Sequence, residues 1–398
     1  MSTGAFSKAR LARMHDVMAR HVEHSGVPGI VTLVSRGGEA QVDALGALAV
    51  DRKAPMRRDT IFRIASVTKP IVAVAAMVLV EECRLRLDDP VDDWLPELKD
   101  RKVLRGLDSP LDDTVPAVRP ISLRDLLTCR AGYGFIMAPP GTHPIQKAIQ
   151  DAGLAPGPTT PSISPDELMQ RFGRLPLLHQ PGERWLYHSA SDILGVLISR
   201  AAGMSLGQFL QARLFEPLGM KDTGFSVPAE KLDRLATCYQ GDTATGPLKV
   251  FDAARGGRFA SPPPFESGGG GLVSTADDLL AFGEMMLDKG RRGRERILSR
   301  PTVELMITDQ LTPQQRPEGG VILGDRGWGF GLAVTTQRDG LASTPGRFGW
   351  DGGYGTSWAV DPKEEMIGVL LTQRLWNSWR GPAVAHDFWT LAYQAIDD

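Results

Sequence analysis

Ser66-Val67-Thr68-Lys69, running into Pro70-Ile71-Val72-Ala73-Val74-Ala75-Ala76-Met77-Val78-Leu79-Val80, is the stretch on which the reading of this chain turns. It holds the only S-x-x-K of the sequence, and it opens a strongly apolar helical run. A serine at a helix N-terminus has its backbone N–H among the free donors of the first turn. Lys69, three residues on, shares its helix face and can meet the hydroxyl. A nucleophile, a nearby base and one oxyanion donor are thus supplied together. Pro70 is tolerated, because first-turn N–H groups lack an intrahelical partner. Serine and lysine are common, so the tetrapeptide alone is a weak signal, and its setting at the mouth of a buried helix adds to it.

Outward from this segment, Ile30–Val34 and Glu39–Leu45 flank Ser35-Arg36-Gly37-Gly38 and predict a β-hairpin. Residues 1–28 carry charges among apolar residues and predict an amphipathic helix rather than a signal peptide. From about Val91 to Phe225 helical segments alternate with Pro/Gly loops, Pro139–Pro161 being the loosest. After the glycine run Gly268–Gly271 come strand-like stretches at Gly329–Val334, Ser357–Val360 and Met366–Thr372, then a closing helix over Val384–Ile396. The expected architecture is α+β: an antiparallel sheet domain flanked by helices (1–90 and 226–398), interrupted by a mainly helical domain (91–225), with an active site in the cleft between them.

At 398 residues the chain is long enough for two lobes. With 45 basic against 47 acidic residues, nothing suggests a nucleic-acid partner. The apolar run after Pro70 is too short to span a bilayer, so no membrane partner is expected and a cytoplasmic location is. Cys83, Cys129 and Cys238 form neither a disulfide framework nor a zinc spacing and read as small buried residues. Asp88-Asp89-Pro90-Val91-Asp92-Asp93 reads as acidic turn chemistry; no metal and no cofactor are expected.

Gly203-Met204-Ser205-Leu206-Gly207 fits G-x-S-x-G, the nucleophile elbow. That motif requires a preceding strand, whereas Ala190–Ala202 has helical periodicity. Gly203 suits a helix C-cap, and Ser205 with Gln208 a capping box. Tyr187 stands before a helix, in Trp185-Leu186-Tyr187-His188-Ser189. Beside a lysine ammonium its pKa is expected to fall, making it a base; alternatively it is a buried anchor. His188 reads as an ordinary surface histidine. Gly349-Trp350-Asp351-Gly352-Gly353-Tyr354-Gly355 lets backbone approach a ligand closely, or is a glycine-rich turn.

Together these segments resemble the serine β-lactamase and penicillin-binding-protein superfamily, and within it the family VIII carboxylesterases, over nearly the whole chain. Leu126-Leu127-Thr128-Cys129-Arg130-Ala131-Gly132, Gln180–Ser189, Phe215-Glu216-Pro217-Leu218-Gly219-Met220 and Gly268–Ala276 also look like this branch. The resemblance implies a β-lactamase/transpeptidase-like fold. It implies Ser66 as the acylated nucleophile, Lys69 and Tyr187 sharing the proton work, and Ser66 and Gly353 as oxyanion donors. Trp350-Asp351-Gly352 would be the third motif on the cleft strand.

Two departures matter. Tyr187 is followed by His188-Ser189 where class C β-lactamases have Tyr-x-Asn, and Trp350-Asp351 replaces the Lys-Thr that can hold a substrate carboxylate. Short-chain, neutral esters are therefore expected. Tyr133, Phe135, Met137, Trp185, Tyr354 and Trp358 are expected as apolar walls, with Arg347 in reserve for a carboxylate. The rival readings are a β-lactamase, D-amino-acid peptidase or acyltransferase on the same scaffold, and a ligand-binding protein on a retired one. The resting charge of Lys69 and the oligomeric state are not legible.

Overall fold

The computed structural model describes residues 5–24, 26–241, 246–316, 320–378 and 381–397. Its centre is an eight-stranded antiparallel sheet. In chain order the strands are β1 (Gly29–Arg36), β2 (Glu39–Ala49), β3 (Arg52–Pro55), β4 (Gly327–Trp328), β5 (Ala333–Val334), β6 (Phe348–Gly352), β7 (Thr356–Asp361) and β8 (Met366–Thr372). Across the sheet they run β4-β5-β6-β7-β8-β1-β2-β3. The early hairpin is therefore stitched onto the late strands through β1 and β8, with Ile30 opposite Thr372 and Arg36 opposite Met366. The two-residue turn Gly37-Gly38 joins Arg36 to Glu39, and both glycines have positive φ, as such a hairpin turn requires.

Helices cover both faces. On one, the amphipathic helix Lys8–His24 lies beside the closing helix Ala383–Gln394, pinned by His21 to Asp387 at 2.7 Å. On the other, helix Ala276–Leu287 lies against β7 and β8. Helix Thr68–Glu81 runs through the interior and packs on helix Ser189–Ala202. Every residue from Thr68 to Leu79 is buried. An all-round apolar helix has no solvent face to offer, and each fully buried Val, Leu or Ile side chain contributes about 1.5–3 kcal/mol.

Between 91 and 225 the regular elements are mostly helices separated by loops, with one short hairpin, Lys102–Leu104 with Thr114–Pro116, that the sequence pattern did not reveal. Pro139–Pro161, read as a loop, contains helix Pro144–Asp151, started by proline at its first position. Cys129 and Cys238 are buried as expected, but Cys83 is exposed at the C-terminal end of the Thr68 helix, in the left-handed conformation. Among the described residues no single helix is long and apolar enough to cross a membrane.

Candidate active site

Ser66 sits in a single 3-10 turn, Ala65–Val67, immediately before the buried helix. Ala65 adopts φ 45°, a conformation that costs a non-glycine residue free energy and that recurs where a site must hold a side chain at a fixed angle. Lys69 then places its Nζ 3.0 Å from Ser66 Oγ. Two further acceptors surround the amine: the Gly269 carbonyl at 2.6 Å and His188 Nδ1 at 3.4 Å. Burial lowers the Lys69 pKa to about 8, against the opposing pull of Cys129 and Asp192. A lysine so placed is close to the range in which it can both accept and return a proton.

Tyr187 lies on the other side of Ser66, with the Lys69 ammonium 4.6 Å from its ring centre. Its hydroxyl hydrogen-bonds Ser66 and accepts from the Trp350 indole at 2.6 Å. Trp185 stacks on its ring at 5.5 Å, and Trp328 and Trp350 meet edge to face at 4.7 Å beside it. The expected fall in its pKa does not occur: burial raises it well above the ordinary tyrosine value, outweighing the bonds to Ser66 and Trp350. Of the two groups, Lys69 is the one whose pKa burial brings down, to about 8.

His188 is not a surface histidine. It has φ 88° and ψ −68° at the start of helix Ser189–Ala202, which turns its ring toward Lys69 on the same side as Tyr187. Its Nε2 is 3.6 Å from Asp192 Oδ2. Burial and the neighbouring lysine hold its pKa well below the usual imidazole value, so it stays neutral. Asp192, itself buried, accepts from Ser267 Oγ at 2.6 Å and from the Gly269 amide at 2.9 Å. The glycine run thus presents Gly269 with its carbonyl on Lys69 and its amide on Asp192. His188, Asp192 and Gly269 were missed as members of the site. The signals present were the glycine run itself and an acidic residue one helical turn beyond the histidine.

β6 supplies the opposite wall. β5 pairs only with Phe348 and Gly349, which leaves Trp350–Gly352 with a free edge. At Gly352 a Cβ would come within 2.3 Å of the Ile64 carbonyl, so glycine is what lets this strand approach the turn carrying Ser66. Gly353, next along, lines the same cleft as Ser66. Asp351 accepts from Ser357 at 2.5 Å and lies 3.7 Å from Arg326, whose guanidinium is 5.2 Å from the Trp350 ring centre.

The cleft has a volume of about 710 Å³. Ser66, Tyr187, Phe135, Trp350, Asp351, Gly353 and Tyr354 line it as expected. Four expected substrate contacts do not. Tyr133 is buried in the core, its hydroxyl donating to the Phe172 carbonyl at 2.8 Å. Trp185 stands behind Tyr187 and is 1% exposed. Trp358 is fully buried against Phe282 and Phe348, donating to the Leu279 carbonyl. Gly352 serves the strand approach just described rather than facing the cavity. Met137 does not line the cleft either. In their place come segment Pro156–Pro158, tied to the Tyr354 hydroxyl through the Pro158 carbonyl, and Trp376, His386 and Trp389.

Ser205 is exposed and far from this constellation in role. It accepts from the Gln208 amide in a full capping box, after Gly203 has ended the preceding helix at φ 72°. Among the described residues no group of three or more His, Cys, Asp or Glu is placed to hold a metal.

The profile of the family described as Beta-lactamase matches residues 14–385. The chain belongs to this family. The chain is a serine hydrolase of this family. It is 33% identical over 392 residues to Esterase EstB of Burkholderia gladioli, covering 93% of this chain and 92% of that one. It is 41% identical over 358 residues to Protein Rv1367c of Mycobacterium tuberculosis, covering 87% and 85%. Among solved structures it is similar to EstCE1, described as a hydrolase with promiscuous acyltransferase activity, at a TM-score of 0.79, 27% identity and 98% coverage of both chains. The β-lactamase-like fold of the family, a large antiparallel sheet between helical layers, is the fold found here.

Proposed function

We propose that this chain is a serine carboxylesterase that works through an acyl-enzyme on Ser66. The observation that carries the reading is the 3.0 Å contact between Ser66 Oγ and a fully buried Lys69 amine whose pKa lies near 8. In the attack step the Ser66 proton passes to the Lys69–Tyr187 pair as Oγ bonds to the ester carbonyl carbon. The carbonyl oxygen becomes the oxyanion and is met by the backbone N–H groups of Ser66 and Gly353. Collapse breaks the ester C–O bond, and the pair returns the proton to the leaving alcohol. Water, deprotonated by the same pair, then cleaves the acyl-enzyme and restores Ser66.

Substrates are read as esters that are neutral around the reacting carbonyl, short-chain esters being the simplest. Trp350 and Asp351 stand in place of a carboxylate-binding Lys-Thr pair, which weighs against β-lactams and peptides. Action on a free small-molecule ester in the cytoplasm, without nucleic acid or membrane, belongs to the same proposal. It is supported by the near-neutral charge balance of 45 basic to 47 acidic residues. A second reading, acyl transfer to an alcohol, is supported by the aromatic-walled 710 Å³ cleft and by the activity in the description of EstCE1.

The test is hydrolysis of p-nitrophenyl butyrate and labelling by a fluorophosphonate, in wild type and Ser66→Ala. Both should vanish in the variant. Wild-type protein that hydrolyses a cephalosporin faster than the ester would overturn the esterase reading in favour of a β-lactamase.

A further inference from the structure

The cleft extends well past the reacting end. Along β6 it reaches Arg347, six residues before Gly353. The Arg347 guanidinium lies 4.0 Å from the ring centre of Trp389 on the closing helix. It is enclosed enough for burial to lower its pKa, and among the described residues its Nε has no hydrogen-bond partner.

Asp351 and Asp361 attract the guanidinium through space, and both are hydrogen-bonded elsewhere. Asp351 accepts from Ser357 and faces Arg326. Asp361 accepts from the Tyr393 hydroxyl at 2.6 Å and from the backbone N–H groups of Lys363 and Glu364. Among the described residues, the cleft is lined by the guanidinium groups of Arg326 and Arg347 and the imidazoles of His188 and His386, with Asp351 as its one carboxylate. A desolvated guanidinium with an unpaired Nε is costly, and an anion that completes its hydrogen bonding recovers part of that cost. Its planar fork suits a carboxylate bidentately.

We propose that Arg347, stacked on Trp389, forms a carboxylate-binding subsite at the far end of the cleft, so that the esters preferred here carry an anionic group remote from the bond that is cleaved. The inference rests on the Ser66 esterase reading for its reacting end. The two positions of charge are distinct: a carboxylate beside the reacting carbonyl meets Asp351, whereas one at the far end of a long chain meets Arg347.

The experiment compares p-nitrophenyl monoesters of succinic, suberic and sebacic acids with neutral p-nitrophenyl alkanoates of equal length, in wild type, Arg347→Gln and Arg347→Lys. Calorimetric binding of sebacate to the same proteins supplies a readout that needs no turnover. The kcat/KM ratio of acidic to neutral ester should rise with chain length in the wild type. It should fall about 10- to 100-fold in Arg347→Gln through KM, the range for losing hydrogen bonds to a charged group. Arg347→Lys should retain part of it. Sebacate binding that depends on Arg347 without a preference in the acyl series places the anionic group on the alcohol side and supports the subsite. Equal ratios in wild type and Arg347→Gln, with sebacate binding indifferent to Arg347, overturn it. Hydrolysis of the neutral esters is read separately, so loss of the subsite and loss of the esterase reading are distinguishable.

Discussion

The indole N–H of Trp350 donates to the phenolic oxygen of Tyr187 at 2.6 Å. Trp350, which the resemblance sets in place of a β-lactamase lysine, therefore supplies a donor to the tyrosine. It orients the Tyr187 hydroxyl toward Ser66 by occupying one of its acceptor positions. Trp350→Phe keeps a ring in place but leaves the buried oxygen one bond short, at about 1–3 kcal/mol. The expected result is a kcat lower by roughly 10-fold or more, with a smaller change in KM for a short ester. Unchanged kcat would show that the bond only packs the site.

Lys69 and Tyr187 flank one hydroxyl, and their losses should not multiply. Lys69→Ala and Tyr187→Phe should each cost at least ~10²-fold in rate, and the double variant little more than the worse single one. Ser205→Ala serves as the contrast: activity and labelling persist, while stability falls by about 1 kcal/mol for a lost cap. Multiplicative losses in the kinetic cycle would assign the two residues independent roles.

The pH dependence follows from the lowered Lys69 pKa. If the neutral amine starts the reaction, kcat/KM should rise through a limb near pH 8, and the limb should be absent in Lys69→Ala. The same shift has a stability sign. The folded protein binds the Lys69 proton less well than the unfolded chain, whose lysine keeps 10.5. Below pH 8 the penalty of a buried charge is paid in full, and it is relieved as pH rises from 8 toward 10.5. Urea unfolding of wild type and Lys69→Met should therefore converge or cross in favour of the wild type over that window, by up to roughly 3 kcal/mol. A difference that stays flat with pH would contradict the lowered value.

His188 Nδ1 lies 3.4 Å from Lys69 Nζ and, accepting there in the tautomer whose Nε2–H faces Asp192, favours the charged amine. His188→Leu removes that acceptor without inviting water, and should move the limb of kcat/KM below pH 8. His188→Asn keeps a short acceptor and tolerates positive φ, so its limb should stay near that of the wild type. Identical limbs in all three proteins would reduce His188 to a packing residue.

Replacing Trp350-Asp351 by Lys-Thr should raise the cephalosporin-to-ester ratio of kcat/KM even as total activity falls. Arg326 already offsets part of the Asp351 charge, so Asp351→Asn alone should shift selectivity less than the double change. Equal ratios in wild type and the double variant would remove this strand position from the account of selectivity.

The fold was legible wherever local chemistry and long-range pairing agreed. The Gly37-Gly38 turn, the apolar run after Pro70 and the Met366–Thr372 strand each admit one reading. The site was legible where spacing alone brings groups together, as in Ser66 and Lys69. It was not where tertiary packing decides. Tyr133, Trp185 and Trp358 have the side chains of pocket walls, and only the helices packed over them make them core. His188 was misread because neighbours at a regular helix start diverge, whereas its left-handed backbone turns its ring toward Lys69. Helix Pro144–Asp151 was hidden by proline and glycine on both sides.

The helix Ala383–Gln394 contributes Ala385, His386 and Trp389 to the cleft, and the first helix holds it down: the Ser7 amide donates to the Ala395 carbonyl at 2.9 Å, and Arg10 to that of Ile396 at 2.7 Å. During synthesis Ser66 and Lys69 emerge hundreds of residues ahead of that wall. A growing chain can thus own its nucleophile long before it owns a cleft. The cleft is walled in only once the helices Lys8–His24 and Ala383–Gln394, far apart in sequence, have come together.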